Sequence, residues 1–174
     1  MLGGMVRFGR KIVNHLRKMF DQIVQDPSHP DDAGRPTLVV PRRPSTQPST
    51  LSFDSVLVAW DGTIEAAHAL SGALPFLKTA REVVVISINP DDQSGPSAVQ
   101  AAGHLERYGI AVKVEERKAE RQNIGEELNA IARQCGAELI VMGAFVSRPW
   151  RHFVHGSATA DLIRHTDVPL LMAH

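Results

Sequence analysis

From Phe53 onward the chain alternates short apolar runs with amphipathic stretches, and this rhythm restricts the fold more than any other feature. Val56–Trp60, Val83–Ile88, Ile110–Val114, Leu139–Met142 and Pro169–Ala173 are brief, rich in branched aliphatic residues and bounded by turn formers. Runs of this length and composition read as strands buried on both faces. Between them lie helical patterns. Thr63 is placed to cap a helix over 64–78, which Pro75 should kink or shorten near its end. A second helix ends at Gly109. Asn123-x-x-Glu126 resembles a capping box, and the helix behind it buries Ile124, Leu128, Ile131, Ala132 and Cys135 before Gly136 stops it. Ser157 caps a last helix running to about His165. Strand and helix alternating in this way predict an α/β fold, a doubly wound five-stranded parallel sheet with right-handed crossovers. Ligands of such sheets bind beyond the strand C-termini, at the point where the strand order reverses. Asp61 and Gly143 both fall at such ends.

The residues before Phe53 read differently. The apolar positions Ile12, Val13, Leu16, Met19, Phe20, Ile23 and Val24 follow the helical period over 9–25. Arg7, Arg10, Lys11, Arg17 and Lys18 lie mostly off that stripe, so a helix packed on protein explains the basic start better than a transit peptide or a membrane-surface helix. Residues 26–36 are rich in helix and strand breakers, Thr37–Val40 is a short strand, and 42–52 is a proline-bearing linker. Gly34–Pro41 parallels Thr166–Ala173, each following an amphipathic helix. Residues 1–41 therefore read as a helix–strand remnant of a preceding copy of the domain at 53–174.

Composition narrows the function classes. Lysine plus arginine and aspartate plus glutamate number 19 each, which gives no overall charge to draw the chain to nucleic acid or to an anionic membrane. No apolar run approaches the roughly 20 residues that span a bilayer. The single Cys135 excludes an internal disulfide and suits a reducing, cytoplasmic setting. It sits on the apolar stripe of its helix, where a core role is expected rather than a nucleophilic one. His152 and His155 lack the third ligand a metal site needs.

The segment Gly143–Ser157 carries the clearest chemistry. A glycine closes a buried strand, a loop with Arg148, Arg151, His152 and His155 follows, and Gly156-Ser157 opens a helix. The first N–H groups of a helix have no internal partners and the dipole is positive there, so the arrangement suits an anion. Val146 opposes this, because a phosphate-wrapping loop favours glycine where a β-branched residue disfavours positive φ.

These residues resemble the universal stress protein family, as the second domain of a tandem protein with a truncated first repeat. The resemblance covers 53–174 and rests on Val58–Thr63, Glu138–Gly143 and Gly156-Ser157. Nucleotide-binding members carry Gly, two residues, Gly, nine residues, Gly, then Ser or Thr. Gly143, Gly156 and Ser157 keep that spacing, and Val146 replaces the middle glycine. The resemblance implies a Rossmann-like fold of the adenine nucleotide alpha hydrolase type. It also implies ATP or another adenine nucleotide as ligand, with Mg accompanying it, and a part in stress response or signalling. Asp61 then contacts the adenosine moiety, Gly143 gives clearance, and Gly156, Ser157 and Arg148 meet the phosphates. No general base or carboxylate pair is evident, so hydrolysis is slow at most. The alternative is a nucleotide-free dimeric interaction module with a degenerate loop; Val146 favours it, and the intact Gly143 and Gly156 favour binding. A phosphoacceptor receiver, a flavodoxin, a Walker-type site and a nucleophile-elbow hydrolase each lack their defining residues.

The family further implies pairing through the last strand. Leu170–Ala173 would be an exposed apolar edge if left alone. Either Thr37–Val40 covers it within the chain, or two chains pair edge to edge. The expectation is a homodimer to which that edge and residues 9–41 contribute.

Overall fold

A computed structural model describes residues 36–40, 53–93, 95–120, 124–144, 162 and 165–173. Its elements, in chain order, are β1 (Thr37–Val39), β2 (Ser55–Ala59), α1 (Ile64–Leu77), β3 (Glu82–Ile88), α2 (Ala98–Glu106), β4 (Lys113–Arg117), α3 (Ile124–Gln134), β5 (Leu139–Gly143) and β6 (Leu170–Ala173). A short 3-10 turn at Pro90–Asp92 follows β3. The predicted helices at 9–25 and 157–165 lie outside the described residues, except that Leu162 and His165 are helical. Asn123 of the predicted capping box and the linker at 42–52 lie outside them too.

The strands form one sheet in the order β1-β6-β5-β2-β3-β4. All neighbours are parallel except β1, which pairs antiparallel with β6. The alternation of side chains along each strand divides the core in two. Val56, Val58, Val83, Val85, Leu139 and Val141 face α1 and α2, while Leu57, Val84, Ile86, Ile140 and Met142 face α3 and Leu162. Both sets are nearly inaccessible to solvent, which is why the strands read as unbroken apolar runs. On α1 the buried positions Ala66, Ala69, Leu70, Ala73 and Leu77 keep the helical period, and their small side chains let the helix lie close to β5 and β6. The helix runs through Pro75 and ends at Leu77, within a residue of its expected end. The Ser97–Gln100 capping box starts α2. Among the residues expected beneath α3, Leu128, Ile131 and Ala132 are buried, and Ile124 and Cys135 pack partly buried against the same cluster.

Two expectations need correcting. The third domain strand falls at Lys113–Arg117 instead of Ile110–Val114. Ile110 is buried because the chain leaving α2 turns it into the core, where its N–H donates to the Leu105 carbonyl at 3.3 Å. The strand itself is an edge and mostly exposed, so charged residues are favoured over an apolar run. The sheet also has six strands, not five, because Thr37–Val39 joins it, with Leu38 opposite Leu171. Leu170–Ala173, with at most 5% of any residue exposed, is therefore covered within the chain. An edge already paired with β1 has no free row of N–H and C=O groups for a second copy, so the expected homodimer contact through Leu170–Ala173 is not available in this structure.

Candidate functional site

The strand order reverses beside β2. The chain passes from β2 outward to β3 and β4, then returns to β5 on the other side of β2. The gap beyond the C-termini of β2 and β5 is thus the switch point where open α/β sheets hold ligands. A cleft lies there. Its lining comes from Ala59 of β2, Trp60 and Asp61 just after it, Ile86 and Ile88 of β3, Gln93, Ile124 and Leu128 of α3, and Met142 and Gly143 of β5. The floor is apolar because these strand residues continue the core face that packs on α3.

Asp61 is half-buried at the cleft edge. Its Oδ1 accepts from the Thr63 N–H at 3.1 Å and from the Thr63 hydroxyl at 2.6 Å. Thr63 in turn accepts from the Ala66 N–H at 3.2 Å, the N-cap expected from the sequence. Asp61 therefore orients the residue that starts α1, and its second carboxylate oxygen makes no hydrogen bond to a described residue. Between them, Gly62 takes φ +76, and a Cβ there would sit 3.0 Å from the Gly95 Cα. Both facts demand glycine, so Gly62 is a turn residue, as the Asp-Gly pair indicated.

Gly143 lines the same cleft. A Cβ on it would lie 2.7 Å from the Ala66 backbone nitrogen and 3.1 Å from Glu65. The close approach of α1 to the end of β5 is thus sufficient reason for glycine at this position. The structure brings Asp61 and Gly143 together at one cleft. Arg148, Gly156 and Ser157, with Val146, lie outside the described residues.

Sequence reasoning missed several lining residues. Trp60 is 6% exposed, and its indole N–H donates to the Pro96 carbonyl at 2.6 Å, tying the end of β2 to the start of α2. Gln93 donates its amide N–H groups to Ser87 Oγ at 2.8 Å, to the Ile88 carbonyl at 3.2 Å and to the Trp60 carbonyl at 3.4 Å. Asn89, at φ 54, clasps the backbone of Ala119 from both sides, at 2.8 and 3.0 Å, and so joins the segment after β3 to the one leading toward α3. The isoleucines carried a faint signal, since Ile86 and Ile88 share one strand face. A glutamine in a loop carries none.

Cys135 is half-buried and donates to the Ala132 carbonyl at 3.6 Å. Burial pushes its thiol up, the opposite of what an activated nucleophile requires. Among the described residues no helix is long and apolar enough to cross a membrane.

The fold and the cleft together define a class: an open, mostly parallel α/β domain with its pocket at the switch point. Residues 52–174 match the model of the universal stress protein family, and the chain belongs to that family. It is similar to the universal stress protein Slr1230 of Synechocystis, with 28% identity over 144 residues, covering 79% of this chain and 46% of that protein. A universal stress protein of Archaeoglobus fulgidus superposes with a TM-score of 0.64 at 22% identity, over 82% of this chain and 50% of that one. A universal stress protein solved in complex with cAMP superposes with a TM-score of 0.54 at 17% identity, over 71% of this chain and 98% of that one. The chain thus spans about half the length of the Synechocystis and Archaeoglobus relatives.

Proposed function

We propose that the cleft binds an adenine nucleotide such as ATP or AMP, and that occupancy acts in stress response or signalling by biasing assembly. One observation carries this reading: an apolar cleft at the switch point has Asp61 at its edge, with one carboxylate oxygen that bonds to none of the described residues. An aromatic base suits the floor of Ile86, Ile88 and Leu128. A ribose, which presents hydroxyl donors, suits Asp61. The phosphates then extend past Gly143 into the segment that holds Arg148, Gly156 and Ser157, whose residue types fit anion binding. The family neighbour crystallised with cAMP supports the same ligand class. Mg would be held chiefly by the phosphates, since Asp61 is the one carboxylate among the described lining residues. This chain's described groups bind and orient; none of them is placed as a general base.

Val146 favours a second reading, an interaction module that has the fold without the ligand. Two experiments separate them. Native mass spectrometry of gently purified protein should show a co-purified adenine nucleotide; protein that stays ligand-free even with added ATP supports the second reading. Val146→Gly should tighten ATP binding in titration calorimetry if the valine obstructs the loop, and unchanged affinity removes that role. For assembly, we assign residues 9–41 as the surface between copies, with the outer edge of β1 in place of Leu170–Ala173. Light scattering at micromolar concentration should show a dimer, and a monomer contradicts the assignment.

A further inference from the structure

We infer that Gln93 selects the base, favouring a purine with a 6-amino group over one with a 6-oxo group; the inference rests on the nucleotide reading above. Among the described residues lining the cleft, three side chains carry nitrogen or oxygen: Trp60, Asp61 and Gln93. The Trp60 N–H is committed to the Pro96 carbonyl. One oxygen of Asp61 is committed to Thr63. The amide nitrogen of Gln93 is committed to Ser87, Ile88 and Trp60.

This last set fixes which way the amide points. Two of its three partners are backbone carbonyls, which only accept, so the nitrogen must face them and the oxygen must face away. The Gln93 carbonyl oxygen makes no hydrogen bond to a described residue. Gln93 lines the cleft beside Ile86 and Ile88.

Among the described residues, the side-chain groups of the cleft that lack a described partner are both acceptors, the Gln93 amide oxygen and the second Asp61 oxygen. A ligand that satisfies them presents donors at two places: hydroxyls on the sugar and an amine on the base. Adenine carries N–H at its 6-position. Hypoxanthine is the same size but places a lone pair there, opposite another lone pair. Losing one hydrogen bond at a partly open site reduces affinity roughly tenfold.

ATP and ITP are the minimal pair for the test, titrated into the full chain by calorimetry. Wild type should prefer ATP by roughly tenfold. Gln93→Ala removes the acceptor and should bring the ratio near one. Because it also frees the carbonyls of Trp60 and Ile88, Gln93→Lys is the companion: its ammonium supplies donors to the same acceptors and offers no lone pair. The added charge shifts both affinities together and leaves the ratio to report on the base. Loss of the ATP preference in both variants, with circular dichroism unchanged, supports the inference. A preference that persists in either folded variant, or wild type that binds ATP and ITP equally, overturns it and leaves the nucleotide reading standing. Wild type that binds neither overturns both.

Discussion

The two strand ends that frame the cleft are built on opposite principles. At the end of β2 the backbone is bent: Gly62 takes φ +76, Asp61 accepts two hydrogen bonds from Thr63, and Thr63 accepts from the Ala66 N–H to cap α1. At the end of β5 Gly143 is an extended strand residue paired with Ala173, and what singles it out is the backbone of α1 lying against it. The first end combines a structural task with a carboxylate oxygen that bonds to none of the described residues. The second is explained by packing alone. Two residues that the sequence motif treats as equal members of a ligand site thus differ in what the structure requires of them.

Substitution should separate the two ends, and the largest effect belongs to β5. Gly143→Val forces a branched side chain against the Ala66 nitrogen, 2.7 Å from the Cβ position, and should cost about 2–3 kcal/mol in urea unfolding. Wild-type stability would mean that α1 does not approach β5 as described. Gly62→Ala puts a side chain at positive φ and should cost about 1–2 kcal/mol by the same measurement. Thr63→Ala removes the cap of α1 and should cost about 1 kcal/mol, seen as a lowered thermal midpoint. Asp61→Asn is the sharpest probe and the mildest for stability. The amide oxygen still accepts from Thr63 while the free acceptor becomes a donor, so stability should stay within about 0.5 kcal/mol. Equal losses at Asp61→Asn and Gly143→Val would erase the distinction between the ends.

Most of the sheet was legible because its strands are buried on both faces and spell out their own limits. β2, β3, β5 and β6 fall within a residue or so of their apolar runs. β4 escaped for the converse reason. An edge strand has little to bury, and Ile110, the residue that seemed to begin it, belongs to the core only through the turn after α2. The covering of β6 was visible only as a choice between two partners, since an apolar edge states that it needs a neighbour but not which one. In the site, Asp61 and Thr63 could be read from local spacing, because a strand end followed by a cap is a short-range pattern. Gln93 could not. Its place depends on Trp60, 33 residues away, and on the end of β3, contacts that only the folded sheet brings together.

The central claim is that the Asp61 carboxylate oxygen not bonded to Thr63 serves a ligand. Calorimetric titration of the full chain with ATP, set beside Asp61→Asn, tests it most directly. The account predicts saturable one-to-one binding by wild type and at least a roughly tenfold weaker complex in the variant, with matching thermal unfolding curves. Equal affinity in the two proteins, or no binding by wild type, would contradict it.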